Sequence, residues 1–113
     1  MKEIKAVIRP NKLSALRTRL MEIPEFPGMT VLKAEGCTGT VRQNILSRNK
    51  IKDELTDFTP KSFLMIICPD EIADSIVDRI IAVSQSGQIG DGLVWVTDIE
   101  RAAFIYKSTP SDF

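Results

Sequence analysis

The residue run with the clearest chemical potential is SGQIGDG at 86–92. Three glycines this close together indicate a backbone that turns sharply, and successive amides in such turns can hold phosphates or other anions. The spacing is not that of a dinucleotide-binding fingerprint, because that motif follows a strand and opens a helix, whereas this run follows a helical pattern and opens a strand. The residues alone leave two interpretations open, an anion-binding loop and a glycine-rich connection without a ligand.

The composition excludes several kinds of site. The sequence has no histidine, and Cys37 and Cys68 lack metal-ligand spacing, which argues against histidine-based catalysis and ordinary zinc sites. The 15 basic residues balance the 15 acidic ones, so no general attraction to nucleic acid or to an anionic membrane is expected. No apolar run is long enough to span a bilayer, and residues 1–4 begin a strand pattern in place of a signal peptide. We therefore expect a cytoplasmic protein that neither binds nucleic acid nor inserts into a membrane.

Residues 37–59 lack the apolar periodicity of a helix or strand. The middle of this segment is locally basic, with Arg42, Arg48, Lys50 and Lys52 before the first acidic residue, Asp53. A loop of this length in a compact domain is unusual and points to function or disorder. Two interpretations remain open here as well: a solvated loop, and a partner-binding arm that becomes ordered on contact.

The remaining elements follow from apolar spacing. Alternation over residues 2–9 predicts a strand with Ile4, Ala6 and Ile8 on one face. Helical spacing predicts an amphipathic helix at 12–21 with Asn11 as its N-cap. The other predicted elements are strands at 29–35, 62–68 and 93–96, a helix at 71–85 and a short strand at 104–107.

This order, β-α-β-loop-β-α-β, predicts a single α+β domain over residues 1–113. It is the pattern of a ferredoxin-like βαββαβ sandwich, in which two helices cover one face of a four-stranded antiparallel sheet. We expect Val7, Leu64 and Ile66 to add to an apolar patch on the other face. Oligomerisation through the sheet would cover it.

Several motifs together resemble the PII signal-transduction family, the nitrogen regulatory proteins. They are MKxIxAxIRP at 1–10, PGMTV at 27–31, Gly36 before the long loop, Pro60-Lys61 after it, and the glycine-rich run at 86–92. The resemblance implies a non-enzymatic regulator that forms a compact homotrimer and binds adenine nucleotides in the clefts between subunits. It also implies a protruding T-loop, here about 37–59, that docks onto transporters, enzymes or regulators.

The resemblance further assigns roles to individual residues. Gly28, Met29 and Thr30 would contact base and ribose, and Ile67 would offer backbone groups to adenine. Gly36 and Cys37 would lie at the loop root, and Lys61 matches a lysine that in the family joins 2-oxoglutarate binding. The nucleotide-facing B-loop would contribute Gln88, Gly90, Asp91 and Gly92. The basic residues of the T-loop, Arg42, Arg48, Lys50 and Lys52, would meet the protein partner, with a membrane transporter among the candidates.

Three positions depart from the family pattern. Leu93 stands where a lysine usually follows Gly-Asp-Gly, and Phe104 and Tyr106 stand where two arginines hold phosphates. Charge-assisted hydrogen bonds to phosphate are about twice as strong as neutral ones, so the phosphate site is weakened. We expect ADP or AMP more readily than ATP, a different small ligand, or none; alternatively, these residues are simply core and interface residues.

Two other classes of function fit parts of the sequence. Arg9 and Asn11 are at roughly suitable places for a small acylphosphatase-type enzyme on the same fold, although Pro10 interrupts the amide cradle such an enzyme needs. A CutA-like structural or metal-responsive trimer is the other alternative, and the lack of histidine argues against its metal.

Overall fold

The protein is described here from a computed structural model that covers residues 1–39 and 58–112. Its elements are β1 Lys2–Ile8, a 3₁₀ turn Pro10–Lys12, α1 Leu13–Met21, β2 Thr30–Gly36, β3 Thr59–Cys68, α2 Asp70–Ser84, β4 Gly92–Asp98, and 3₁₀ turns Ile105–Lys107 and Pro110–Asp112. The four strands form one antiparallel sheet in the order β2-β3-β1-β4. The predicted ferredoxin-like order is therefore confirmed.

The core lies between the two helices and one face of the sheet. Alternate residues of β1, namely Ile4, Ala6 and Ile8, are fully buried there, as the sequence predicted. The helices contribute the apolar stripes that the 3.6-residue period requires, and the main buried members are Leu16, Leu20, Ile76 and Ile80.

The predicted face of β3 was wrong. Leu64 lies opposite Ala6, and Ile66 lies opposite Ile4, so both side chains are buried under the helices. Because successive side chains in a strand point to opposite faces, Phe63, Met65 and Ile67 lie on the open face. The apolar run of β3 has no polar residue to mark which face is which, and only its pairing with β1 settles the assignment.

The open face carries an apolar row across all four strands. In register, Leu32 lies opposite Phe63, Phe63 opposite Val7, and Val7 opposite Leu93. The Phe63 ring also contacts Trp95 edge to face, with ring centroids 6.1 Å apart. Leu32 and Leu93 are more than half exposed in the single chain. This row is the apolar surface that the sequence predicted would need cover, although it is built from other residues of β3.

Two local predictions were also wrong. Asn11 does not cap α1, because Pro10, Asn11 and Lys12 form a 3₁₀ turn and Lys12 is the N-cap residue, without a side-chain cap bond. Pro10 suits the first position of that turn, where its missing amide costs nothing. Residues 104–107 form a 3₁₀ turn in place of the predicted short strand. In the described ranges, no helix is long and apolar enough to cross a membrane.

Gly92 begins β4 at a place where no side chain fits. Its φ is +110°, and a Cβ there would lie 1.8 Å from the carbonyl oxygen of Val7. Glycine at this position lets the end of the loop approach β1 closely enough for the β1–β4 pairing to begin at Ile8 and Gly92.

We expect Gly92→Ala to lower the free energy of unfolding by about 3 kcal/mol or more, because strain at positive φ adds to a backbone clash. Gly87→Ala is the matched control, since Gly87 also has a positive φ of +86° but nothing lies within 4 Å of its added Cβ. Its cost should be about 1 kcal/mol. Urea unfolding at equal protein concentration measures both; equal costs would contradict the clash.

Candidate functional site

The glycine-rich loop between α2 and β4 is organised around the carboxylate of Asp91. Its Oδ2 accepts hydrogen bonds from the amides of Ser86 (2.7 Å) and Gly87 (2.9 Å). Its Oδ1 accepts a hydrogen bond from the Ser86 hydroxyl (2.5 Å) and forms an ion pair with Nη1 of Arg9. Two amides of the turn therefore hold an anion of the protein itself, the Asp91 carboxylate, and an external anion at this loop stays a prediction.

These contacts set the charge state of Asp91. Burial raises the pKa of the carboxyl, but the hydrogen bonds from Ser86, Arg9 and the Gly87 amide outweigh burial. The pKa of Asp91 consequently lies well below its ordinary value, and the group stays ionised throughout the neutral range.

Two cationic side chains at the sheet donate hydrogen bonds to backbone carbonyl oxygens of the same loop. Arg9 follows β1 and donates Nη2 to the carbonyl oxygen of Ile89 at 3.3 Å. Lys61, on β3, donates Nζ to the carbonyl oxygen of Gly90 at 3.2 Å, and it is only 8% exposed. Arg9 is thus ion-paired with a carboxylate, whereas Lys61 contacts a neutral carbonyl oxygen.

Lys61 also contacts the root of the long loop. A Cβ added to Gly36 would lie 3.4 Å from Cγ of Lys61, so the lysine stem lies against that glycine. The hydroxyl of Thr59 donates to the carbonyl oxygen of Gly36 at 3.4 Å, next to the same stem. The two ends of the segment between β2 and β3 therefore meet beside Lys61.

A cleft of about 390 Å³ opens between this loop and the root of the long segment. We call it the loop cleft, and its lining is Val7, Gly36, Cys37, Thr38, Lys61, Gln88, Ile89, Gly90, Asp91, Gly92 and Leu93. It brings together the predicted loop-root, lysine and B-loop positions. Its lining combines the largely buried cation Lys61 with the Asp91 carboxylate.

A second cleft, of about 520 Å³, holds the other predicted ligand residues. We call it the Met65 cleft, and its lining is Glu3, Pro27, Gly28, Met29, Thr30, Met65, Ile67 and Phe104. Its walls are mainly apolar, which suits a planar ring. Its charged group is Glu3, whose Oε1 lies 3.5 Å from Nζ of Lys5 and 3.4 Å from the Thr97 hydroxyl.

The two clefts lie at opposite ends of the open face. Lys61 and Ile67 are six positions apart on β3, which corresponds to about 20 Å of strand. The predicted ligand residues are thus gathered into two groups that a single chain holds apart. Their assignment to one ligand stays a prediction.

Sequence reasoning missed several lining residues. Val7 and Met65 share the open face with Lys61 and Ile67, so correct strand parity would have found both. Glu3 lies opposite Ile67 in the register and could have been found the same way. The sequence gives Arg9 a place in the motif at 1–10 and in the acylphosphatase alternative, but nothing in it places Arg9 beside Asp91.

The three positions that depart from the family pattern are at different sites. Leu93 lines the loop cleft and is 60% exposed, and Phe104 lines the Met65 cleft. Tyr106 is largely exposed, and the Lys107 ammonium lies 5.3 Å from the Phe104 ring centroid and 5.8 Å from that of Tyr106. These distances are in the range of cation–π contacts.

The predicted partner-binding residues, Arg42, Arg48, Lys50 and Lys52, lie outside the described residues. Cys37, at the edge of that segment, is exposed, whereas Cys68 is buried, and burial raises the pKa of the Cys68 thiol. Within residues 1–39 and 58–112, no group of three or more His, Cys, Asp and Glu residues is arranged to hold a metal ion.

Comparison with known proteins gives consistent matches along the chain. Residues 1–109 match the family described as Nitrogen regulatory protein P-II. The sequence is 38% identical to Nitrogen regulatory protein P-II 1 of Escherichia coli K12 over 112 residues, which cover 99% of this chain and 97% of that protein. It is 37% identical to Nitrogen regulatory protein P-II of Haemophilus influenzae over 102 residues, covering 90% and 88%. The P-II protein of Klebsiella oxytoca is also 37% identical, over 112 residues, with 99% and 97% covered.

Asp91→Asn should lower the free energy of unfolding at pH 7 by about 2 kcal/mol, because the amide loses the ion pair with Arg9 and presents one oxygen where the carboxylate presents two. The carboxyl pKa is depressed in the folded state, so its stabilisation is complete above the unfolded value of about 4 and is lost as the pH falls below it. Urea unfolding should therefore show a smaller difference between wild type and variant at pH 3 than at pH 7. Asp78→Asn, on the exposed side of α2, is the control; a difference that is equal at both pH values would contradict this role.

Proposed function

The chain belongs to the nitrogen regulatory protein P-II family, and on that premise we propose that it forms a homotrimer, binds an adenine nucleotide between subunits and controls a protein partner through residues 37–59. The family consists of signalling regulators and not of enzymes. The acylphosphatase alternative loses its support accordingly, and Arg9, its candidate anion-binding residue, is ion-paired with Asp91.

The separation of the two clefts is the observation that carries this proposal. About 20 Å of β3 lies between Lys61 and Ile67, which is longer than a mononucleotide. A mononucleotide whose phosphate contacts Lys61 and whose base contacts Ile67 would therefore have to bridge two subunits. In a closed ring, the Met65 cleft of each subunit would face the loop cleft of the next, giving equivalent sites around the ring.

The open face of the sheet supports assembly. The apolar row Leu32, Phe63, Val7 and Leu93 crosses every strand, and large contiguous apolar patches are rare on monomeric proteins. A trimer that packs these faces together would bury the row at its centre. The same packing would bring the ends of neighbouring sheets, and so the clefts, side by side.

The charged residues of the two clefts favour one orientation of the nucleotide. The Lys61 ammonium is a donor for a phosphate at the loop cleft. At the Met65 cleft the Glu3 carboxylate would repel a phosphate, but it can accept a hydrogen bond from the amino group of adenine. Met65, Ile67 and Phe104 supply apolar contacts for the base. The base would therefore occupy the Met65 cleft of one subunit and the phosphate the loop cleft of its neighbour.

Residues 37–59 are the proposed partner-binding arm. The arm begins and ends beside Lys61, so a ligand in the loop cleft would contact its root. Arg42, Arg48, Lys50 and Lys52 fit a partner with an acidic surface, on a transporter, an enzyme or a regulator.

Sedimentation of the full chain should give three times its mass of 12.6 kDa, and calorimetry should detect AMP binding to that species. Phe63→Asp places a charge in the apolar row without touching either cleft, so it should dissociate the trimer and abolish AMP binding. Lys61→Met is the matched comparison, because it should preserve the trimer and weaken AMP more than adenosine. A monomeric Phe63→Asp variant that binds AMP normally would contradict a site between subunits.

Replacing Arg42, Arg48, Lys50 and Lys52 together with alanine should leave AMP binding unchanged and abolish capture of the partner. The measurement is affinity capture from a lysate of the source cells with wild type and variant, each with and without AMP. Replacing Arg17 and Arg19 of α1 with alanine is the charge control. If the same proteins are captured by wild type and by the four-residue variant, these side chains do not form the partner site.

A further inference from the structure

We propose that the site prefers a nucleotide with one phosphate, AMP over ATP, and that Leu93 is the residue that sets this preference. The inference rests on the proposed nucleotide site and goes further by naming the phosphate count. It follows from the charges of the described residues around both clefts and from the contacts that already occupy them.

The clefts together present little positive charge. Among the residues of 1–39 and 58–112 that line them, the charged side chains are Lys61 and Asp91 at the loop cleft and Glu3 at the Met65 cleft. A site of this composition can neutralise one phosphate through Lys61. Each further phosphate adds negative charge without a new cation among these residues, because the charge of Arg9 is already balanced by Asp91. Neighbouring phosphates that are not neutralised in a partly buried cleft are unfavourable.

The groups that could have compensated are engaged elsewhere. The amides of Ser86 and Gly87 hold Asp91, as does the Arg9 guanidinium. A phosphate chain would have to displace an ionised carboxylate to use them. The Lys107 ammonium rests near the Phe104 and Tyr106 rings, and Lys107 lines neither cleft.

Leu93 occupies a position from which an additional cationic side chain could contact the β- and γ-phosphates. It directly follows Asp91 and Gly92, lines the loop cleft, and is 60% exposed. An apolar side chain there offers no hydrogen bond to a β- or γ-phosphate. The oxygens of those phosphates would lose hydrogen bonds to water on entering the cleft and gain none from Leu93. A lysine at this position would line the loop cleft, and its ammonium could reach a phosphate chain bound beside Lys61.

The test is calorimetry of adenosine, AMP, ADP and ATP with the intact trimer in magnesium-free buffer. We expect AMP to bind at least tenfold more tightly than ATP, with ADP between them, and adenosine to bind more weakly than AMP because it lacks the contact with Lys61. Leu93→Lys should raise the affinity for ATP about tenfold and raise it more than the affinity for AMP. Met21→Lys adds the same charge at the exposed end of α1, at a residue that lines neither cleft, and should change neither affinity.

The outcomes separate this inference from the proposed function. If wild type binds ATP as tightly as AMP or more tightly, the preference is overturned while the nucleotide site stands. If an assembled trimer binds no adenine compound, both are overturned. Sedimentation checks the assembly of Leu93→Lys. If the charge prevents assembly, Leu93→Gln supplies an uncharged donor at the same position, and an assembled variant whose ratio of ATP to AMP affinity equals that of wild type overturns the role of Leu93.

Discussion

The candidate site depends on the hydrogen bonds and the ion pair that the Asp91 carboxylate forms within and beside its own loop. One carboxylate joins the amides at the end of α2, the Ser86 hydroxyl and Arg9 at the end of β1. These bonds close the loop onto the sheet before any ligand arrives. Gly92 then lets the chain pass against Val7 and pair with β1. The shape of the loop cleft is therefore fixed mainly by contacts within the protein, so ligand binding does not have to supply the energy of ordering the loop.

The alternation of side chains along β3 determines which of its residues pack in the core and which line the clefts. Leu64 and Ile66 complete the core beneath the helices, while Lys61 and Met65 face the opposite side and enter the clefts. A shift of one residue in the pairing of β3 with β1 would exchange these sets. The packing of Leu64 beneath the helices thus keeps Lys61 in the lining of the loop cleft, and the stability of the core and the lining of the candidate site depend on the same register.

Much of the fold, and less of the site, could be predicted from the sequence. Period-two alternation in β1 and the apolar stripe of α2 each identify an element without ambiguity. In β3 the apolar run carries no alternation, so the faces of Leu64 and Ile66 were assigned wrongly. Family resemblance identifies the motif residues at the two clefts, and the spacing of Lys61 and Ile67 along one strand already implies about 20 Å between them. Their grouping with residues of other strands depends on the pairing of β3 with β1 and β2. The pairing of Arg9 with Asp91 joins positions distant in sequence, and only the folded chain brings them together.

The position of Lys61 has a consequence for how a signal could travel. Its stem lies against Gly36 and its ammonium reaches Gly90, so one side chain spans the distance from the glycine-rich loop to the base of the arm. A ligand that draws the ammonium away from the Gly90 carbonyl oxygen would change the torsion angles of the methylene chain that lies under Gly36. Lys61 would then couple occupancy of the loop cleft to the base of the arm, because its charged end and its apolar stem belong to one side chain.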